Sequence, residues 1–163
     1  GRKWGNCMST LDEGFEAIMD SIIRKLEAER APGKTLSGVK KIIRGDRSEP
    51  TPYTPCIWVF GETATPDDNY TTLQERWKQP IALVSVVSNY DADEGYREAT
   101  KLAALARSVV IKQRRLSDKD GNPLQMVQDI KSARFEPSAP WHKQGNLFSA
   151  VAVVDVIFRV MEV

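Results

Sequence analysis

The side chains able to do acid–base, nucleophilic or metal chemistry are few in this chain, and they stand far apart. His142 is the single histidine. It lies in a loop beside Trp141 and Lys143 with no Cys, Asp or Glu at ligand spacing, so it reads as a solvated loop residue rather than a metal ligand or general base. Cys7 and Cys56 are too few for a disulfide framework and too widely separated for a zinc site, and both are expected to be free thiols. There is no Gly-x-Ser-x-Gly elbow, and neither cysteine has a histidine neighbour in sequence. Nucleophilic catalysis therefore has no anchor. Gly33-Lys34-Thr35 ends like a phosphate loop, but Ala28 stands where the first glycine belongs, inside a helical stretch. Asp67–Asn69 and Asp118–Asn122 resemble fragments of calcium loops, and ordinary turn chemistry accounts for both. The expectation is a protein that is not an enzyme and has neither cofactor nor metal.

Charge narrows the partners. Twenty-three Lys and Arg against twenty-two Asp and Glu leave no global field that would steer the chain to nucleic acid or an acidic membrane surface. Two local clusters remain, Lys40, Lys41, Arg44 and Arg47, and then Lys112, Arg114 and Arg115. Either could meet phosphate, and either fits a solvated edge or helix end. A small nucleic-acid-binding α+β module using the stripe from Lys40 to Arg47 is the rival reading to the one developed below. With 41% hydrophobic and 28% charged residues the composition is that of an ordinary globular domain. The apolar runs fall short of a membrane span, and no signal peptide is visible. Folding in the cytoplasm and no membrane partner are expected.

The last stretch, Leu147–Val163, organises the rest. At period two, Phe148, Ala150, Ala152, Val154, Val156, Phe158 and Val160 are all apolar, while Ser149, Asp155 and Arg159 fall in the other register among Leu147, Val151, Val153 and Ile157. The pattern predicts a strand with one core face and one mixed face. At about 3.3 Å per residue it would span roughly 55 Å, long for a small domain. Either it bends or part of it serves a surface beyond its own subunit.

Ahead of it, Thr10 and Glu13 form a capping pattern that opens a first helix, with Phe15, Ile18, Met19, Ile22, Ile23 and Leu26 as its packing stripe through Arg30. Val39–Arg44 and Cys56–Gly61 read as strands separated by the Pro-rich segment Glu49–Pro55. Thr63–Asn69 reads as a turn-rich link. An extended run follows from Tyr70 to Val87, interrupted by Pro80, which belongs at an edge, bulge or bend. A second helix is expected over Asp93–Arg114, with an acidic start, a basic end and Ala99, Ala103 and Ala106 allowing close approach to a sheet. Val127–Glu136 reads as a weaker strand. The order α-β-β-β-α-β-β predicts an α+β fold, a mainly antiparallel sheet with both helices on one face. Residues 1–10 read as an N-terminal extension and 11–163 as a single domain. Trp58, Phe60, Trp77 and Trp141, together with over-long strands, are the raw material of subunit contacts.

LDEGFEAIMDSIIRKLE, the Pro-rich lead into PCIWVFGE, the unit QPIALVSVVSNYDADEGYREATKLAALARSVV and the closing VAVVDVIFRVMEV together resemble the phage tail-terminator and tail-completion proteins of the head–tail neck. The resemblance lies in element order and texture over nearly the whole chain from about Leu11. It implies a non-enzymatic virion protein that forms a homo-oligomeric ring, commonly a hexamer, capping the tail tube and joining it to the connector or neck protein. On that footing Tyr53, Trp77 and Trp141 are expected interface anchors. Asp155 and Arg159 are expected seam residues on the mixed face of the last strand. Arg44 and Arg47 are candidates to face DNA passing through the lumen, without tight binding.

Overall fold

The structure, a computed structural model, describes residues 10–45, 53–69, 74–113, 116–139 and 145–161. The expected extension apart from Thr10, and Arg47, Trp141 and His142, lie outside the described residues. Eight elements follow in order: α1 (Leu11–Ala28), β1 (Lys41–Arg44), β2 (Cys56–Gly61), β3 (Thr65–Asn69), β4 (Gln74–Ser88), α2 (Ala92–Ile111), β5 (Val127–Glu136) and β6 (Leu147–Met161). The two helices and the mainly antiparallel sheet are those the sequence predicts. β3 is an addition, formed where a turn-rich link is expected.

Helix starts are chemically distinct. Asp91 caps α2, accepting a hydrogen bond from the Glu94 amide at 3.2 Å, the usual way of satisfying a free first-turn donor. At α1 the expected cap is replaced by a different contact. The Thr10 hydroxyl donates to Asp12 Oδ1 at 2.7 Å and Glu13 Oε1 at 2.5 Å and makes no bond to a helix amide. The hydroxyl proton is directed at two first-turn carboxylates, which suit the positive end of the helix. α2 ends at Ile111 with Lys112 as C-cap, short of the expected Arg114, and its last turn holds no basic residue.

The sheet runs β1-β2-β4-β6-β5, with β3 also on β4. Only β1 and β2 are parallel. Pro80 explains the extra strand. β4 passes straight through it and pairs with β6 without a break from Gln74–Met161 to Ser88–Leu147. In an antiparallel strand the N–H and C=O of one residue point to the same side. The Pro80 carbonyl accepts from the Glu62 amide at 2.9 Å, so its missing N–H faces β2 and β3 rather than β6. There the neighbouring strand is interrupted: β2 stops at Gly61, three residues step past, and β3 resumes at Thr65 opposite Lys78. The buried side chain of Gln79 closes the gap, donating to the Glu62 carbonyl at 2.8 Å and the Pro80 carbonyl at 2.9 Å. Pro80 thus sits at a break, as its chemistry requires.

Both helices lie on one face. There the even-numbered side chains of β6, Phe148 through Val160, are buried beneath Ile18, Met19, Ile22 and Leu26 of α1 and Ala99, Ala103 and Ala106 of α2, in one core with Ile57, Leu83 and Val87. The Ser85 hydroxyl, fully buried, ties β4 to α2 by donating to the Ala99 carbonyl at 2.8 Å. The opposite face is apolar at its centre, with Cys56, Trp58, Val84 and Val86 forming a second cluster flanked by Ile43, Phe60, Leu147 and Val151. The length of β6 is used within the chain. β4 covers one of its edges throughout, and β5 covers the other from Val151 to Phe158.

Candidate assembly interface

The sequence-predicted interface residues do not form one patch. Tyr53 is half exposed, its ring 5.0 Å from Lys41 Nζ, beside β1 at the sheet edge. Trp77 turns to the helix side instead. It packs against the main core opposite Phe158, and its indole N–H donates to Glu75 Oε2 at 2.7 Å. Asp155 and Arg159 share the face away from the helices. They are four residues apart on one strand, hence about 13 Å. Arg159 Nη2 donates to the Gln125 carbonyl at 3.1 Å, and Arg159 stands directly across β4–β6 from Arg76, whose own charge is met by Asp67 at 2.8 Å. Asp155 makes no hydrogen bond or ion pair among the described residues.

Arg44, the described candidate for facing DNA, is engaged on its own molecule. Its Nη2 lies 2.7 Å from both carboxylate oxygens of Glu16, its Nη1 is 3.6 Å from Asp20, and its guanidinium carbon is 5.9 Å from the centre of the Phe15 ring. The guanidinium therefore joins β1 to α1. The outer side of α1 carries four exposed carboxylates, Asp12, Glu13, Glu16 and Asp20, of which Glu16 and Asp20 meet the Arg44 cation. The Asp12 carboxyl is held below the usual aspartate range, chiefly by the Thr10 hydroxyl.

Two open clefts flank α2. One, of about 330 Å³, is floored by Leu36, Val39, Pro55, Leu102 and Leu105, between the helix and the turn that leads into β1. That turn is fixed by Arg30, which donates to the Val39 carbonyl at 3.0 Å and also to the Lys40 carbonyl. The other, of about 420 Å³, lies between α2 and β5 and is lined by Tyr96, Arg97, Thr100, Lys101, Ala104 and Phe135. Phe135 is 40% exposed there, which makes it one of the few large apolar side chains that solvent reaches. Lys101 borders both clefts. Sequence reading missed these residues, although the exposed Ala104 and the apolar Leu105 already interrupt what should be the polar side of α2.

Across the opposite face, Arg134 of β5 reaches Glu62, just past the end of β2. Two N–H···O contacts of 2.8 Å span the intervening strands β4 and β6. The Arg134 guanidinium holds the Glu62 carboxyl below the usual glutamate range, and Glu62 in turn raises the affinity of Arg134 for its proton.

Element order, sheet and helix layer define a two-layer α+β fold. No protein-family model matches the sequence, and no curated protein matches it. Among solved structures it is similar to a chain from the "Virion of native gene transfer agent (GTA) particle", with a TM-score of 0.54 and 11% identity over 89% of this chain and 96% of that one. At that identity the likeness is one of fold. It extends over both chains almost entirely.

Proposed function

We propose that this protein is a structural subunit of a phage-like virion. Copies form a ring, six in number, that caps the tail tube and joins it to the head-side connector, and the role is non-enzymatic. The observation that carries the reading is the end-to-end fold likeness to a chain of a gene transfer agent virion. The exposed clefts along α2 add surface suited to subunit contacts. The rival nucleic-acid module draws less support, because Arg44, central to its basic stripe, is matched by Glu16 and Asp20. Native mass spectrometry with negative-stain imaging tests the ring. The expected result is a closed particle of six 18.3 kDa chains. A stable monomer that binds DNA or RNA with steep salt dependence overturns the ring in favour of the rival.

A further inference from the structure

We propose that neighbouring copies meet head to tail, the acidic outer side of α1 from one copy lying in the cationic cleft between α2 and β5 of the next. The inference rests on the ring reading above and assigns its subunit contact. The cleft has an apolar floor in Tyr96, Ala104 and Phe135, and its rim carries Lys101 and Arg97, the latter also 3.2 Å from the exposed Asp93 carboxylate just outside the lining. α1 offers the complement. Asp12, Glu13, Glu16 and Asp20 are exposed along it. Opposite potentials meeting across the contact give both orientation and partner choice.

Placement sets the symmetry. Arg44 at the end of β1 grips Glu16 and Asp20, so the acidic side of α1 runs along the β1 edge of the sheet. The cleft lies at β5, the opposite edge. A contact between opposite edges joins two different patches, and repeating it gives a closed ring or an open filament. A two-fold dimer through either patch would set like charges against each other. Strand-to-strand joining at β5 is discouraged by its own edge. β5 carries irregularities at Val127/Asp129 and Ser132/Arg134 and exposes Lys131 and Arg134, devices that blunt an edge against a foreign strand. A helix docking through side chains meets no such obstacle.

The test reverses charge on each patch. Glu13→Lys with Asp20→Lys leaves Glu16 to hold Arg44, and Arg97→Glu with Lys101→Glu alters only exposed positions, including an ion pair with Asp93 whose partners are 80% and 76% exposed. Each double variant alone should shift the assembly midpoint at least tenfold towards monomer. An equimolar mixture should recover the wild-type particle mass, because each reversed stripe then meets a reversed cleft. Far-UV circular dichroism and unfolding midpoints confirm that both variants fold. Either variant assembling like wild type overturns the interface and leaves the cleft to some other acidic partner, and so does a folded mixture that stays monomeric. If the wild-type protein itself never assembles, the ring reading fails, and this inference fails with it.

Discussion

Phe148 lies so close beneath Gly95 that a β-carbon on the glycine would stand 2.4 Å from two of its ring carbons. Tyr96 meets the same ring edge-on, with centroids 4.8 Å apart and planes at 88°. Near the other end of β6, Phe158 does the same to Gly14 of α1, at 2.7 Å. Each helix thus rests on a β6 phenylalanine through a glycine. In an isolated helix Gly→Ala would gain about 1 kcal/mol. Here overpacking of about 1–3 kcal/mol opposes that gain. Gly95→Ala should therefore lose about 1 kcal/mol by chemical denaturation, and Phe148→Leu in the same chain should restore part of the loss. A stabilised Gly95→Ala protein would show that the ring is free to move aside.

The Glu62–Arg134 pair gives a pH signature. Because Arg134 holds the folded carboxyl below its unfolded value, the contribution of Glu62 is complete above the ordinary glutamate pKa of about 4.3 and is lost as pH falls through the lower folded value. Arg134 is about half exposed, so solvent screening limits the pair to roughly 0.2–1 kcal/mol. Wild type and Glu62→Gln should differ by that amount in unfolding at pH 7 and converge once the pH falls below the lowered folded value. A gap that persists in acid would assign the difference to packing.

Much of the fold is legible because periodicity reports faces. The stripe of α1, the alanines of α2 and the even register of β6 all bury as their spacing demands. β3 is not legible, since Pro66, Asp67 and Asp68 are turn-formers that become a strand only by pairing with β4. The parallel pairing of β1 with β2 is equally hidden, because no local residue specifies strand direction. In β5, Ile130 and Ser132 share the helix face, but after the irregularity before Arg134 it is Phe135 that takes that side. A strict period-two reading points Phe135 away from α2 and so misses the cleft. Arg44 shows the remaining limit: its partners Glu16 and Asp20 come from another element, and only the tertiary fold brings them together.

Tyr53 and Trp77, alike as sequence-level anchors, should separate in experiment. Trp77 is packed against the main core and hydrogen-bonded to Glu75, so Trp77→Ala should lose about 2–3 kcal/mol of folding stability, below the 3–5 of a fully buried aromatic. Tyr53 is half exposed with the Lys41 ammonium near its ring, and Tyr53→Ala should stay within about 0.5 kcal/mol of wild type. Any effect of Tyr53→Ala should then appear in the particle mass. Equal destabilisation by the two substitutions would contradict the packing described for Trp77.

Asp155 and Arg159 divide in the same way, though they share a strand face. Arg159 holds the turn before β5 by donating to the Gln125 carbonyl, and its backbone amide bonds the Met126 carbonyl beside it. Losing the side chain leaves that carbonyl short of a charged donor, which costs about 1–2 kcal/mol. Relief of the Arg76–Arg159 juxtaposition offsets only part of this, because Asp67 already meets the charge of Arg76. Arg159→Ala should therefore lower the unfolding midpoint. Asp155 has Lys131 as its register partner on β5 but no bond to it, so Asp155→Ala should leave the midpoint within about 0.5 kcal/mol of wild type. A seam on this face would then show as a changed particle mass in Asp155→Ala at unchanged stability. If mass and midpoint are both unchanged, Asp155 belongs to no seam, and the proposed contact of α1 with the α2–β5 cleft is the one left to test.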